Sequence, residues 1–162
     1  MNTDKHQWNF EKLVGVIRQA HEELAAQAGR AVNISLTLRN WLVGCYIAEY
    51  ELRGSDRANY GDNLLMELAK RLTELKVSNC NRRQLYRYLR FYRLYPEIVG
   101  TLSAQLKKLL PVDAKALEKV GTSSPQLRIT PDKIIRRLSY SHLELIVDLD
   151  DDLKRAFYEI EC

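Results

Sequence analysis

Proline, glycine and cysteine are all scarce in this 162-residue chain, at four, seven and three. So little turn-forming residue argues against a many-stranded β fold, and the abundance of leucine points to an all-α protein. The cysteines, Cys45, Cys80 and Cys162, are odd in number and widely spaced, with no C-x-x-C pair. That excludes a disulfide framework or a zinc ribbon and suits a reducing, cytoplasmic setting. No run of about eighteen apolar residues is present, which excludes a membrane span. The polar N-terminus has no hydrophobic leader region.

Catalytic patterns are missing too. There is no Gly-rich phosphate loop, no H-E-x-x-H, no G-x-S-x-G and no close His/Cys group. The three histidines, His6, His21 and His142, are far apart. Asp148, Asp150, Asp151 and Asp152 lack the glycine turn and downstream bidentate glutamate of a calcium loop, and read as helix caps on a solvated face. Nothing calls for a cofactor or a metal, and the chain is read as a non-enzyme.

One sign of charge is absent where it matters. From Lys76 to Tyr95 there are six basic residues, Lys76, Arg82, Arg83, Arg87, Arg90 and Arg93, and no acidic one. Asp148 to Cys162 instead carries six acids against Lys154 and Arg155. The formal charge is +4, so the distribution says more than the sum.

The basic stretch reads as one helix. Asn81 is a good N-cap, Gln84 falls at N3, and Cys80 and Leu85 can form a hydrophobic staple. Pro96 stops the helix by restricting Tyr95. Leu85, Tyr88, Leu89 and Tyr92 repeat at i, i+3, i+4, i+7 and are expected inside. Arg83, Arg87 and Arg90 share the opposite face, flanked by Arg82, Tyr86 and Arg93. Guanidinium groups contact phosphates and guanine edges in pairs of bonds, so Arg82, Arg83, Gln84, Tyr86, Arg87, Arg90 and Arg93 are the candidate DNA-binding residues. The bland alternative is a basic face that meets acids elsewhere in the same protein.

Upstream, Leu13, Ile17, Ala20, Leu24, Gln27, Ala31, Ile34, Leu38, Trp41, Cys45, Ala48 and Leu52 alternate four and three residues apart. This predicts one long helix, or two stacked ones, ending near Gly54. The stripe suits a coiled-coil partner and hence a homodimer, or packing against the rest of its own chain with Trp41 as anchor. Asp62 is expected to cap a helix with Leu65, Leu68, Leu72 and Leu75 inward, ending near Lys76. With the arginine helix it makes a helix-turn-helix-like unit over 61–95. Thr101 to Leu110, Asp132 to Leu138, a segment capped by Ser139 or Ser141 and running to about Val147, and Leu153 to Glu161 are shorter helices. The expected organisation is a tail over 1–9, a helical domain over 10–110, a linker over 111–130, and C-terminal helices over 131–162 packed on that domain.

Several segments occur in an order that resembles a known family. These are Asn33, Trp41-Leu42-Val43-Gly44, Tyr60-Gly61 with Leu64-Leu65, and Asn81 to Leu85 leading to Phe91-Tyr92 and Tyr95-Pro96. Leu138 to His142 and Arg155 to Glu161 complete the set. Together they look like the N-terminal domain of the YhcG-type bacterial proteins, from about Phe10 to Cys162. The chain departs at Asn79, Cys80 and Asn81, where the family usually has a glycine and an aromatic before a capping serine. The resemblance implies a helical domain of unknown function ahead of a PD-(D/E)XK nuclease domain, so the full protein is expected to continue past Cys162. The nuclease acids map onto no residue here. The combined expectation is a non-catalytic DNA-binding or targeting domain, with a dimerisation or protein-interaction module as the alternative.

Overall fold

The computed structural model describes residues 10–111 and 130–161. The expected tail, the interior of the 111–130 linker and Cys162 lie outside the described residues. The protein is all-α, with no strand among the described residues. Its helices are α1 (Phe10–Arg53), α2 (Leu64–Glu74), α3 (Arg82–Leu94), α4 (Ala104–Lys107), α5 (Pro131–Arg137), α6 (Tyr140–Val147) and α7 (Asp152–Glu161), with 3-10 turns at Arg57–Asn59, Gly61–Asn63 and Pro96–Thr101.

The long stripe forms one continuous 44-residue helix rather than two stacked ones. Contacts divide the chain between Asn33 and Ile34 into two units. In the first, every described residue up to Val32 is exposed. In the second, the middle of the same stripe is core: Leu38, Trp41, Cys45 and Ala48 are buried, while Ile34 is half-buried and Leu52, expected inside as the last of the stripe, is exposed. They join Leu85, Tyr88, Leu89, Phe91 and Tyr92 of α3 with Ile134, Leu143 and Val147. Trp41 anchors this core as its position suggests. Its ring meets Tyr92 edge-on at 5.2 Å, and its indole N–H donates to the Tyr95 carbonyl at 2.9 Å. Burial pushes the Cys45 thiol up to about 11, as expected of a core cysteine.

Helix α2 corrects two expectations. Asp62 lies in a 3-10 turn and does not cap; α2 starts at Leu64 after Asn63, which makes no side-chain cap bond. Leu75 is 71% exposed, whereas Leu65, Leu68 and Leu72 pack on the core. The reason is the helix end. Lys76 adopts φ 58°, its N–H reaches the Thr73 carbonyl and the Val77 N–H reaches that of Leu72. These are the two bonds of a Schellman stop, which turns the chain before Leu75 can face inward. The 101–110 segment is likewise shorter than a full helix: a 3-10 turn to Thr101, then α4 capped by Ser103.

The C-terminal helices pack on the same body, α6 against α3 and α7 against α6. Ser139 caps α6, and its hydroxyl also meets His142 Nδ1 at 2.9 Å. Helix α7 is turned against its own hydropathy. Arg155 and Glu159 are buried, while Leu153, Phe157 and Ile160 are exposed.

Candidate functional site

The α2–α3 pair is assembled from local signals and distant braces. Asn81 caps α3, accepting the Gln84 N–H at 2.9 Å. Cys80 and Leu85, the staple residues, are both buried. Gln84 does not complete a capping box; its Oε1 is buried without a partner. Asn79 takes φ 56°, a left-handed conformation that asparagine tolerates. The Tyr88 hydroxyl donates to the Asn79 carbonyl at 2.7 Å. Arg39 reaches across from α1 to the Ser78 carbonyl at 2.8 Å and the Cys80 sulfur at 3.3 Å. The turn that lacks a glycine is thus held in shape from outside.

The expected outward row of arginines is corrected by the structure. Arg87 makes a fork to Asp148, with Nε to Oδ1 at 3.0 Å and Nη2 to Oδ2, and reaches Glu144 at 3.4 Å. Its side chain is only 12% exposed, and the bonded Asp148 carboxylate raises its pKa further above the usual guanidinium range. Arg90 donates to the Leu149 carbonyl at 2.8 Å and to Asp150 at 3.0 Å. Arg93 pairs with Glu51 of α1 at 2.6 Å. The physical reason is geometric. The face of α3 opposite Leu85 and Leu89 is covered around Arg87 and Arg90 by α6 and the acidic segment after it, whereas Arg93 stays exposed beside α1. The guanidinium groups there neutralise carboxylates that would otherwise crowd together.

The leading end differs. Arg82 and Arg83 are exposed and form no ion pair among the described residues. Tyr86 is 51% exposed. Of the seven candidate DNA-binding residues, the structure therefore leaves Arg82, Arg83 and Tyr86 presented to solvent, Gln84 half-buried, Arg87 and Arg90 engaged within the chain, and Arg93 paired with Glu51 yet still exposed. The sequence does not say which acids meet the basic face; Glu144 and Asp148 are the ones that meet Arg87.

Among the described residues no group of three His, Cys, Asp or Glu side chains could hold a metal ion, and no helix is long and apolar enough to cross a membrane. A cavity of about 490 Å³ lies between α1 and α2, lined by Tyr46, Tyr50, Tyr60, Leu64 and Leu68. Its Asp56 carboxylate accepts from the Tyr50 hydroxyl at 2.6 Å, which pushes that tyrosine up to about 12.

The second surface is the first unit. Leu13, Ile17 and Leu24 are 37%, 60% and 64% exposed, and Ala20, Gln27 and Ala31 between them are exposed as well. Gly15 and Gly29 each lower helix propensity by about 1 kcal/mol, and Val14, Val16, Ile17 and Val32 are β-branched. Alanine, glutamate and leucine elsewhere in the segment favour the helix, but in proteins most helical stability comes from what covers an apolar stripe rather than from propensity.

The family model described as the DUF1016 N-terminal domain matches residues 12–162. No curated protein and no solved structure matches the chain.

Proposed function

For this chain, which belongs to the DUF1016 N-terminal domain family, we propose a non-catalytic assembly role: the domain joins a second copy of itself through the N-terminal half of α1. One observation carries this reading. The heptad stripe that forms the core from Leu38 to Ala48 continues toward the N-terminus in unbroken register, and there it is exposed. Desolvating such a stripe is the main source of coiled-coil stability. In a YhcG-type chain the consequence would be that two copies, and the nuclease domains the resemblance implies, are held together. Leu24→Asp puts a charge in the middle of the seam. The variant is expected to sediment as a monomer at concentrations where the wild-type protein is a dimer. Equal masses for the two proteins would refute the assembly reading.

DNA contact is the second reading, and a specific observation favours it. In helix-turn-helix proteins the N-terminal residues of the second helix enter the major groove. Here that end carries Arg82, Arg83 and Tyr86, without the carboxylates that occupy the trailing half. The proposed contact is thus the leading end of α3 rather than its whole length. The Arg82→Ala/Arg83→Ala double variant is expected to weaken duplex binding and to reduce the salt slope by about 2, one unit per lost phosphate contact. Fluorescence anisotropy over a range of salt concentrations measures both; an unchanged slope would exclude this surface. The two readings are compatible, since a dimer presents two leading ends.

A further inference from the structure

Resting on the assembly reading, we infer that the second copy lies antiparallel on α1, in the one register that sets Glu23 of each copy beside Arg30 of the other. The residues flanking the stripe decide this. With Leu13, Ala20, Gln27 and Ile34 at d and Ile17, Leu24 and Ala31 at a, the g positions over the exposed length are Val16, Glu23 and Arg30, and the e positions are Val14, His21 and Ala28. Parallel strands bring g of one helix beside e of the next heptad on the other. Glu23 would then face Ala28, and Arg30 would face Ser35, so neither charge finds an opposite. Antiparallel strands bring g beside g.

Three antiparallel registers differ by one heptad. The first sets Ile17 opposite Ile34, which is half-buried against the domain's own core, Ala20 opposite Ala31 and Leu24 opposite Gln27, and puts Glu23 beside Arg30 twice by symmetry. A shift of one heptad toward the N-terminus sets Glu23 against Glu23 of the second copy. The shift the other way sets Arg30 against Arg30, and it also needs Leu38, which is already buried in its own core. The first register alone makes both charges favourable.

Two further observations agree with it. Gln27 is the single polar residue of the exposed stripe. In this register the two Gln27 side chains flank the two-fold axis, where their amides can bond one another; a polar group at one seam position is a common device for fixing register. The charges are also free to act. Glu23 and Arg30 form no ion pair among the described residues, whereas Arg18 and Glu22, on the outer face, pair with each other at 3.7 Å. Gly15 and Gly29 also fall on the outer face, away from the seam. The overlap from Ile17 to Ile34 is 18 residues, about 27 Å of helix.

The test is a charge swap read by sedimentation equilibrium on the whole chain. Glu23→Arg and Arg30→Glu singly are each expected to weaken self-association roughly tenfold, because two attractive pairs become two repulsive ones. The Glu23→Arg/Arg30→Glu double variant is expected to recover wild-type affinity. A mixture of the two single variants, distinguished by mass in native mass spectrometry, is expected to form the heterodimer in preference to either homodimer. A wild-type dimer indifferent to both single changes, or a double variant no better than the singles, would overturn the register and leave the assembly reading standing. A wild-type chain that is monomeric throughout would overturn both.

Discussion

Gly44→Ala is expected to destabilise the protein by about 3 kcal/mol or more, the upper range for overpacking a core. A Cβ built at Gly44 would lie 1.9 Å from the Tyr88 carbonyl oxygen and 2.6 Å from its carbon. These are backbone atoms of α3, so no side chain can swing aside. Helix α1 and helix α3 touch backbone to backbone at this point, and a methyl group must push the two apart along a core that includes Trp41, Tyr88 and Tyr92. Equilibrium urea denaturation followed by tryptophan fluorescence measures the loss. Gly29→Ala is the control: nothing lies within 4 Å of its Cβ position, and it is expected to stabilise the helix by up to about 1 kcal/mol. Equal behaviour of the two variants would show that α1 and α3 do not approach so closely.

Arg87→Ala is expected to cost about 2 kcal/mol of folding stability while leaving the DNA affinity of the folded protein unchanged. The estimate starts from the cost of removing one partner of a buried ion pair and is lowered because Asp148 is 39% exposed and water can screen it. Without the guanidinium, Asp148 and Glu144 stand one helical turn apart at the end of α6 with no cation between them. Denaturation and anisotropy on the same samples separate the two effects. If Arg87→Ala keeps full stability yet weakens duplex binding as Arg82→Ala/Arg83→Ala does, then Arg87 is a contact residue and not a brace.

Much of α3 was readable before any coordinates, because its signals are local. The Asn81 cap, the inward set Leu85, Tyr88, Leu89 and Tyr92, and the Pro96 stop depend on residues within one turn of each other. The long stripe of α1 was readable for the same reason, being pure periodicity. What periodicity could not say is where its cover ends: the pattern is identical on both sides of Asn33, and the change from exposed to buried depends on elements dozens of residues away. The arginine row failed in a related way. Arg83 and Arg87 sit one turn apart on one face, yet α6 reaches only the second of them. A sequence shows that acids are plentiful after Glu144 but not which arginines they will meet. Helix α7 shows the limit most plainly. Leu153, Phe157 and Ile160 have the spacing of a core face, but Arg155 and Glu159 are the buried pair. Arg155 bonds the Leu149 carbonyl at 2.6 Å, although its Nε has no partner among the described residues, and Glu159 accepts from the Tyr95 hydroxyl, so specific polar bonds orient the helix against its hydropathy.

The central claim is that a second copy covers the exposed stripe of α1 and thereby holds that helix. Amide hydrogen exchange over residues 10–33, taken at protein concentrations above and below the dimer midpoint, measures this at the segment itself. Protection of these amides that appears with dimerisation and fades on dilution, while the amides of α3 stay protected throughout, is the predicted result. Rapid exchange over residues 10–33 at every concentration would contradict it.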